Sequence, residues 1–600
     1  MKLKYIVMST ALGLVALSSC SDFLDKDPDN RVKPQTLKQL RELMVDGYSS
    51  TSYACVGELS SDNVIDNNTP SDNGLRYNRA SYSAADDQLF RWEHVTMGQD
   101  NDTPTGTWEG NYGAIAVCNA VLEKVAEIEE TGETYDGPLT SEGREQLAAI
   151  KGEALVSRAW HHFILVNTFC MPYGGPEKSK GIQGVPYMTA PETTVKPHYD
   201  RGTLAHDYEM IEKDLMEGLP LINDGFYEVP KYHFNKASAN AFAARFFLYK
   251  REYEKVVEYA TAAFKGNDPA TMANTLWSNS DFYYIKDIGR YNTSIERPNV
   301  WMCFTTYTTF WRRFVSSGRY ACNRAAKRCT IQGPGPSWEN CKYQNSRTKE
   351  SFAMMPCFNG YCGTAGGTEY GVYFAGNSFE QFEYTDKIAG IGYCHGIRAE
   401  FTSQQTLLDR AEAYFFLGEK ELAMADLQQW NEEHRVNTSG DDRMTALTEE
   451  QIVKFYTKCL NKYVANVDRT DLKEKYSDSI WFGIAKPINL DKVNPSAKYQ
   501  ITDELMPYIQ CVQHFRRIET VHTGQRWFDI KRLGLEVIHK QAKSGSEANV
   551  YTLRYSDDEM RYAIEVPYSA ILAGLDPNSK PKTTALSAAV ESKGNYVKVN

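Results

Sequence analysis

The 600-residue sequence predicts a mainly α-helical protein: a tetratricopeptide-like helical repeat scaffold with a large loop-rich insertion. Three observations carry this reading. Ala244, Phe247, Tyr253, Val256, Ala260 and Ala263 follow one another at offsets of 3, 6, 3, 4 and 3 residues, a small/large alternation that lets two helices approach closely. Ala411, Tyr414, Ala423 and Leu427 repeat the theme, with the same twelve residues from Ala411 to Ala423 as from Ala244 to Val256. Between the two units, from Asp268 to Ser403, helical periodicity gives way to Gly, Asn, Ser, Tyr and Trp.

The chain opens with Lys2 and Lys4, an apolar run from Tyr5 to Leu17, and then Ser18-Ser19-Cys20. At about thirteen residues the run is shorter than the roughly 20 that cross a bilayer, so residues 1–19 read as a signal peptide. The cysteine at its end resembles a bacterial lipoprotein box, in which the thiol takes a diacylglyceryl group and becomes the first mature residue. Cys20 is therefore the expected lipid anchor, and a plain secreted protein is the alternative. At about 0.8 kcal/mol per buried methylene, two or more acyl chains make a stable tether.

The formal charge is −11, falling to −13 once Lys2 and Lys4 leave with the signal. An acidic body without a basic tract has no electrostatic footprint for nucleic acid. Tyrosine is abundant, 38 residues against 26 Phe, which suits a wet binding surface because the ring packs while the hydroxyl stays hydrated. Of the twelve cysteines after Cys20, seven fall between Cys303 and Cys394: these two with Cys322, Cys329, Cys341, Cys357 and Cys362. Disulfides are permitted in an exported chain, but spacing does not supply connectivity. No Cys-x-x-Cys pair points to a zinc ribbon.

After Cys20 come Asp22-Phe23-Leu24-Asp25 and Pro28, then a helical pattern from about Leu37 to Tyr48. Glu58-Leu59-Ser60-Ser61-Asp62 is an acidic turn, and Trp108, Tyr112, Ile115, Asn119 and Leu122 share one helical stripe in which Asn119 is expected to be satisfied inside the core. Residues 144–169 form a long helical pattern with Arg158-Ala159-Trp160 and Phe163, closed by Pro172, Gly174-Gly175 and Gly184-Val185-Pro186. His161 and His162 are neighbours on that helix, about 100° apart, and cannot share one ion, so they read as packing residues. A further helix spans Leu204 to Leu219. Asp62-Asn63…Asp66-Asn67-Asn68 is oxygen-rich but lacks the spacing of a calcium loop and reads as a solvated turn. Near the C-terminus, Arg516, Glu519, Thr523, Arg526 and Ile530 fall at spacings of 3, 4, 3 and 4 around Gly524-Gln525-Arg526-Trp527-Phe528-Asp529, the pattern of an ion-pair ladder fixing a helix to the repeats.

These residues together resemble the SusD/RagB family of outer-membrane nutrient-binding lipoproteins. The anchored start and the Gly-x-Arg-Trp-Phe-Asp helix are the most specific matches, and Ile564-Glu565-Val566-Pro567 with Asp576-Pro577-Asn578 resembles the family's closing segment. His522-Thr523 departs from the family pattern, which more often places Glu there. The resemblance implies a SusD-like α-superhelix divided as 20–267, an N-terminal helical region; 268–403, a Cys- and aromatic-rich binding insertion; and 404–600, a C-terminal region. It also implies a surface-exposed outer-membrane lipoprotein that captures oligosaccharide or polysaccharide and passes it to a SusC-like TonB-dependent barrel.

No Gly-x-Ser-x-Gly elbow, His-Glu-x-x-His helix or phosphate loop singles out catalytic residues, so no catalytic group and no cofactor is assigned. A glycoside hydrolase, a peptide-binding uptake component and a pure assembly protein remain the alternatives. The ligand is expected where the insertion meets the polar stretch Asn63–Trp92. Trp92, Tyr283, Trp311 and Trp338 are the stacking candidates, with Arg76 and Asn292 as hydroxyl partners. Trp301 is set aside because Val300-Trp301-Met302-Cys303-Phe304 reads as a buried strand.

Overall fold

Why the helices begin and end where they do is largely a matter of caps. The computed structural model describes residues 34–66, 68, 80–96, 98, 100–194, 197–265, 299–310, 313–314, 319–321, 334–338, 343–344, 351–352, 359–362, 372–375, 378–434, 446–467, 483–542, 548–556 and 559–578. The main helices are α1 (Leu37–Met44), α2 (Ala54–Ser60), α3 (Ala84–Phe90), α4 (Pro104–Thr131), α5 (Ser141–Phe169), α6 (Leu204–Gly218), α7 (Lys236–Lys250), α8 (Tyr253–Ala263), α9 (Ser403–Leu417), α10 (Lys420–Glu433), α11 (Glu449–Val467), α12 (Met506–Glu519) and α13 (Gln525–Leu533). The strands that matter for the site are β1 (Ile65–Asp66), β2 (Val300–Tyr307), β3 (Tyr320–Ala321), β4 (Ser378–Asp386), β5 (Ile391–Thr402), β6 (Val537–Ala542) and β7 (Ala548–Leu553). Thr103, Thr140, Thr203, Asn235 and Thr402 each accept a backbone N–H at the start of α4, α5, α6, α7 and α9, satisfying donors that the helix leaves open.

The two repeat hairpins form as the spacing predicts. Ala244, Ala260, Ala263, Ala411 and Ala423 are all fully buried, so α7/α8 and α9/α10 pack through small side chains. Both hairpins turn at a left-handed residue, Arg251 (φ 62°) and Gly418 (φ 82°). The non-glycine costs roughly 1–2 kcal/mol in that region. Arg251 offsets this by donating to the carbonyls of Leu490 and Asn494, each at 3.2 Å, and to Asp491 at 3.1 Å.

Helix α5 is buried on every side through its C-terminal half, as befits a central helix. Trp160 on it meets Phe242 of α7 at 5.1 Å and Phe401 of β5 at 5.0 Å, so one core joins helices to the insertion. His161 pairs with Asn111 at 2.8 Å, and His162 with the Arg158 carbonyl at 2.9 Å and the Met188 N–H at 3.1 Å. Burial pushes both imidazoles down to about 3, so they are neutral packing groups. Asn119 donates to Met188 and Ala190 and accepts from Arg158 at 2.8 Å, inside the core as expected.

The ladder at α12 and α13 reaches outward to the repeats. Arg516 pairs with Asp409 of α9 and with Asp529 at 3.2 Å, Arg532 with Glu412 of α9 at 2.6 Å, and Glu519 with His434 at 2.7 Å. The turn after α2 corrects the sequence reading. Asn63 and Asp66 are fully buried and the Asp62 side chain is only 8% exposed, because Arg526, Lys486 and Arg517 surround it. It is a buried, paired turn, and no solvated loop.

At Gly57, α2 lies backbone to backbone on the start of α13. A Cβ there would stand 2.3 Å from the Gly524 carbonyl oxygen, and Gly524 itself is left-handed (φ 81°). Gly57→Ala should therefore cost about 1–3 kcal/mol of stability through overpacking, read by urea denaturation. An unchanged midpoint would mean that the two backbones separate freely.

The insertion contains more regular structure than a loop reading implies. β4, β5 and β2 form an antiparallel sheet in that order, and Thr402 at the end of β5 is also the cap of α9. Trp301 lies in β2, 5% exposed. Cys55, Cys118, Cys170 and Cys511 are buried free thiols, while Cys322, Cys329, Cys341 and Cys357 lie outside the described residues. No helix among the described residues is long and apolar enough to cross a membrane.

Candidate functional site

The stretch before Trp92 and the insertion meet through a short ladder. β1 pairs antiparallel with β3, setting Ile65 against Ala321 and Asp66 against Tyr320. Asp66 is fully buried beneath this junction, taking Arg319 at 2.8 and 3.1 Å, the Ala542 N–H at 2.9 Å and the Asn68 N–H at 2.9 Å. The Tyr320 hydroxyl donates to Asp87 of α3 and accepts from Gln541 of β6 at 2.6 Å. Burial and the Asp87 carboxylate push that phenol well above its usual range.

A second clamp stands beside the first. Arg313, its side chain 1% exposed, pairs with Asp86 of α3 and takes Asp100 through two bonds of 2.9 and 3.0 Å. Its Nε donates to the Thr309 hydroxyl at 3.1 Å. Asp102 completes the wall, accepting from the Thr308 hydroxyl at 2.8 Å and from the Thr309 amide and hydroxyl at 2.6 and 2.7 Å. Burial pushes the Asp86 carboxyl up to about 6 against the pull of Arg313. Burial alone would lower the Arg313 guanidinium, yet the carboxylates around it raise it.

Over this clamp lies Tyr82. Its ring sits 4.5 Å from the Arg313 guanidinium carbon and remains 47% exposed. A cation beneath a ring fixes its tilt and leaves an outer face for a partner. Asp100 is open at the rim, its side chain 46% exposed. Aromatic face and exposed acceptor are the two elements that a sugar ring needs, C–H packing and hydroxyl bonding.

Trp92 and Trp338 are placed differently from the expectation. Trp92 is left-handed (φ 54°), 6% exposed, and ends a stack that runs Tyr320, Phe90, His539, Trp92 at centroid spacings of 4.3, 4.2 and 4.5 Å. Its indole N–H donates to the Ser60 carbonyl at 2.9 Å. Trp338 is 1% exposed, against Phe515 and His514. Both rings are core, because the large flat faces that stack on sugars stack equally well on protein rings. Trp92→Ala should accordingly lose about 3–5 kcal/mol of stability, measured by denaturant unfolding. A loss under about 1 kcal/mol would return it to the surface. Arg76, Tyr283, Asn292, Trp311 and Cys20 lie outside the described residues. Tyr82 is not among the rings that the sequence singles out, though a signal exists: it stands among Ala80, Ser81 and Ser83, with no apolar partner larger than alanine near it.

A hollow lies elsewhere. A cleft of about 690 Å³ opens between α4, residues of the stretches 186–192 and 197–199, and residues 570–575, walled by Trp108, Tyr112, Ile115, Met188, Tyr199 and Leu575. Two of its polar groups are spent on the protein. The Tyr112 hydroxyl donates to the Pro186 carbonyl at 2.9 Å and the Asn119 amide to Met188 and Ala190. The junction at Tyr82 is preferred because it sets an open aromatic face beside an exposed carboxylate where the two predicted stretches meet.

Comparison with known proteins bears on the fold. Residues 22–248 match a SusD-like family model described as "Starch-binding associating with outer membrane". Among solved structures, a SusD superfamily protein from Bacteroides vulgatus is similar over 92% of this chain and 100% of its own, at 15% identity and TM-score 0.55. A SusD superfamily protein from Bacteroides thetaiotaomicron is similar over 91% and 100%, at 17% identity and TM-score 0.52. A SusD-like carbohydrate binding protein from Bacteroides vulgatus covers 92% and 100%, at 14% identity and TM-score 0.50. No curated protein matches the chain.

Proposed function

We propose, because the chain is similar to SusD-like proteins in sequence over residues 22–248 and in fold over 92% of its length, that it is a surface lipoprotein that binds oligosaccharide and delivers it to a SusC-like TonB-dependent outer-membrane barrel. Cys20 is the proposed anchor, and the ligand lies at the junction of the 80–102 stretch with the insertion. The observation that carries the reading is Tyr82, held over Arg313 with its outer face open beside Asp100. Arg76, Asn292, Tyr283 and Trp311 are proposed as further contacts on the same two stretches, and residues 268–403 as the segment that supplies the binding loops.

Binding is favoured over hydrolysis by how the carboxylates are used. A glycosidase keeps two of them available on either side of the scissile bond. Here Asp66, Asp86 and Asp102 are 0–3% exposed and engaged by guanidinium, hydroxyl or amide groups. Their charge builds the floor of the site and does not reach the ligand.

The test uses the chain from residue 21, freed of its anchor, on an array of plant, host and microbial glycans and with the matching polysaccharides in solution. Retention without product is expected, and Tyr82→Ala should weaken it by about 1–3 kcal/mol, by analogy with base–aromatic stacking, while leaving the unfolding midpoint in place. Released sugar would establish an enzyme, and absence of retention across the array would defeat the reading. In cells, Cys20→Ala should free the protein from the outer membrane.

A further inference from the structure

The insertion sheet presents a second aromatic surface. Along β2, Met302, Phe304 and Thr306 face the core at 0, 3 and 3% exposure, whereas Tyr307 is 42% exposed. The register sets Tyr307 opposite His395 and Tyr393 opposite Glu383, so these four side chains share the outer face. Tyr393 is 53% exposed, and its ring stands 5.6 Å from that of Tyr307 at 69°. Glu383 lies 3.3 Å from His395 with its carboxylate 64% exposed. Two open phenol faces at an angle, bordered by an exposed carboxylate that the largely buried His395 imidazole (side chain 10% exposed) contacts, make a cradle with both apolar and hydrogen-bonding walls.

The cradle is linked to the junction through the chain. Tyr307 is followed by Thr308 and Thr309, which bind Asp102, and Thr309 also accepts from the Arg313 guanidinium that lies under Tyr82. Two residues of chain span at most roughly 7 Å, so Tyr307 stands that far from Thr309 of the clamp, within reach of an oligosaccharide that extends from Tyr82. We propose that Tyr307, Tyr393, Glu383 and His395 form an accessory saccharide subsite that takes the extension of a chain bound at the junction. The proposal rests on the junction being a glycan site. Because the two rings are inclined at 69°, they stack on a chain that turns between successive sugars and not on a flat ribbon. A purely apolar docking patch for protein would not place an exposed carboxylate at the border of the two phenols.

The experiment compares the wild-type chain from residue 21 with Tyr307→Ala/Tyr393→Ala and with Glu383→Gln. The probes are tri- and hexasaccharides of α-1,4-glucan, β-1,3-glucan and flat β-1,4-glucan, together with the glycan array for ligands outside that set. The double variant should lose about tenfold or more in affinity for the hexasaccharide of the bound, turning series, a loss of the size that stacking rings supply. It should leave the trisaccharide within about twofold, with Glu383→Gln intermediate and all unfolding midpoints unchanged. If wild type binds a glycan and the double variant binds both its long and its short form as tightly as wild type does, the subsite is overturned and the junction reading stands. If wild type binds nothing on the array, the junction reading fails and the subsite with it. Unchanged glycan affinity together with loss of a protein that co-purifies from native membranes would assign this face to a protein partner and overturn the proposal.

Discussion

Asp62→Asn is expected to destabilise the protein by about 3–5 kcal/mol, the cost of leaving buried charge without its counter-ion. One carboxylate serves three cations: Lys486 at 2.6 Å, Arg526 at 2.9 and 3.1 Å, and Arg517 at 3.6 Å. All four side chains are no more than 8% exposed. Burial would raise the Asp62 carboxyl, but Arg517, Arg526 and Lys486 together hold it well below the usual carboxylate range. A carboxyl depressed in the folded state contributes stability above its unfolded value, near pH 4, and loses it as pH falls through the folded value. The gap between wild type and variant should therefore be full at pH 7 and shrink under acid. Urea unfolding at pH 7 and at pH 3 measures both arms. A constant gap would mean that the substitution acts through packing and not through charge. By contrast the exposed Glu254–Lys498 pair should be removable by Glu254→Gln without measurable loss, because both side chains are more than half exposed.

The same turn marks how far the sequence could be read. Helical stripes are local, so Ala244 with Val256 and Ala411 with Ala423 were legible within windows of about fifteen residues, as was the buried run around Trp301. Asp62 was not legible as a buried ion, because Lys486 and Arg526 stand 424 and 464 residues away and its immediate neighbours, Ser61 and Asn63, are polar. Trp92 failed for a related reason. Its partner His539 arrives from β6, and without it an isolated Trp in a polar stretch resembles a binding ring. Tyr82 is the converse, a ring whose cation comes from Arg313 of the insertion and keeps it outside. Long-range pairing decides that Trp92 is core and Tyr82 surface, and local spacing alone does not separate the two.

Arg313→Met is expected to cost about 3–5 kcal/mol as well, with a different dependence on pH. The guanidinium holds α3 through Asp86, the following loop through Asp100, and the insertion through the Thr309 hydroxyl. Without it Asp86 and Asp102 remain, buried and less compensated. Asp86 has an outlet, since burial already pushes its carboxyl up to about 6. A carboxyl raised in the folded state contributes stability that is full below its unfolded value, near pH 4, and is lost as pH rises through the folded value. In the variant that folded value should climb further, so its deficit should be largest at pH 8 and smaller at pH 5, the same direction as the Asp62 variant but in a window nearer neutrality. Ligand affinity should fall with stability, because Tyr82 loses the cation on which it lies. Arg313→Lys restores charge but not the forked geometry that reaches Asp86 and Asp100 together, and should be intermediate in both. Unfolding at pH 5 and pH 8, with glycan affinity measured per folded molecule, decides the matter. Equal deficits at the two pH values would show that Asp86 is not the group left exposed to charge, and unchanged affinity would detach Tyr82 from the site.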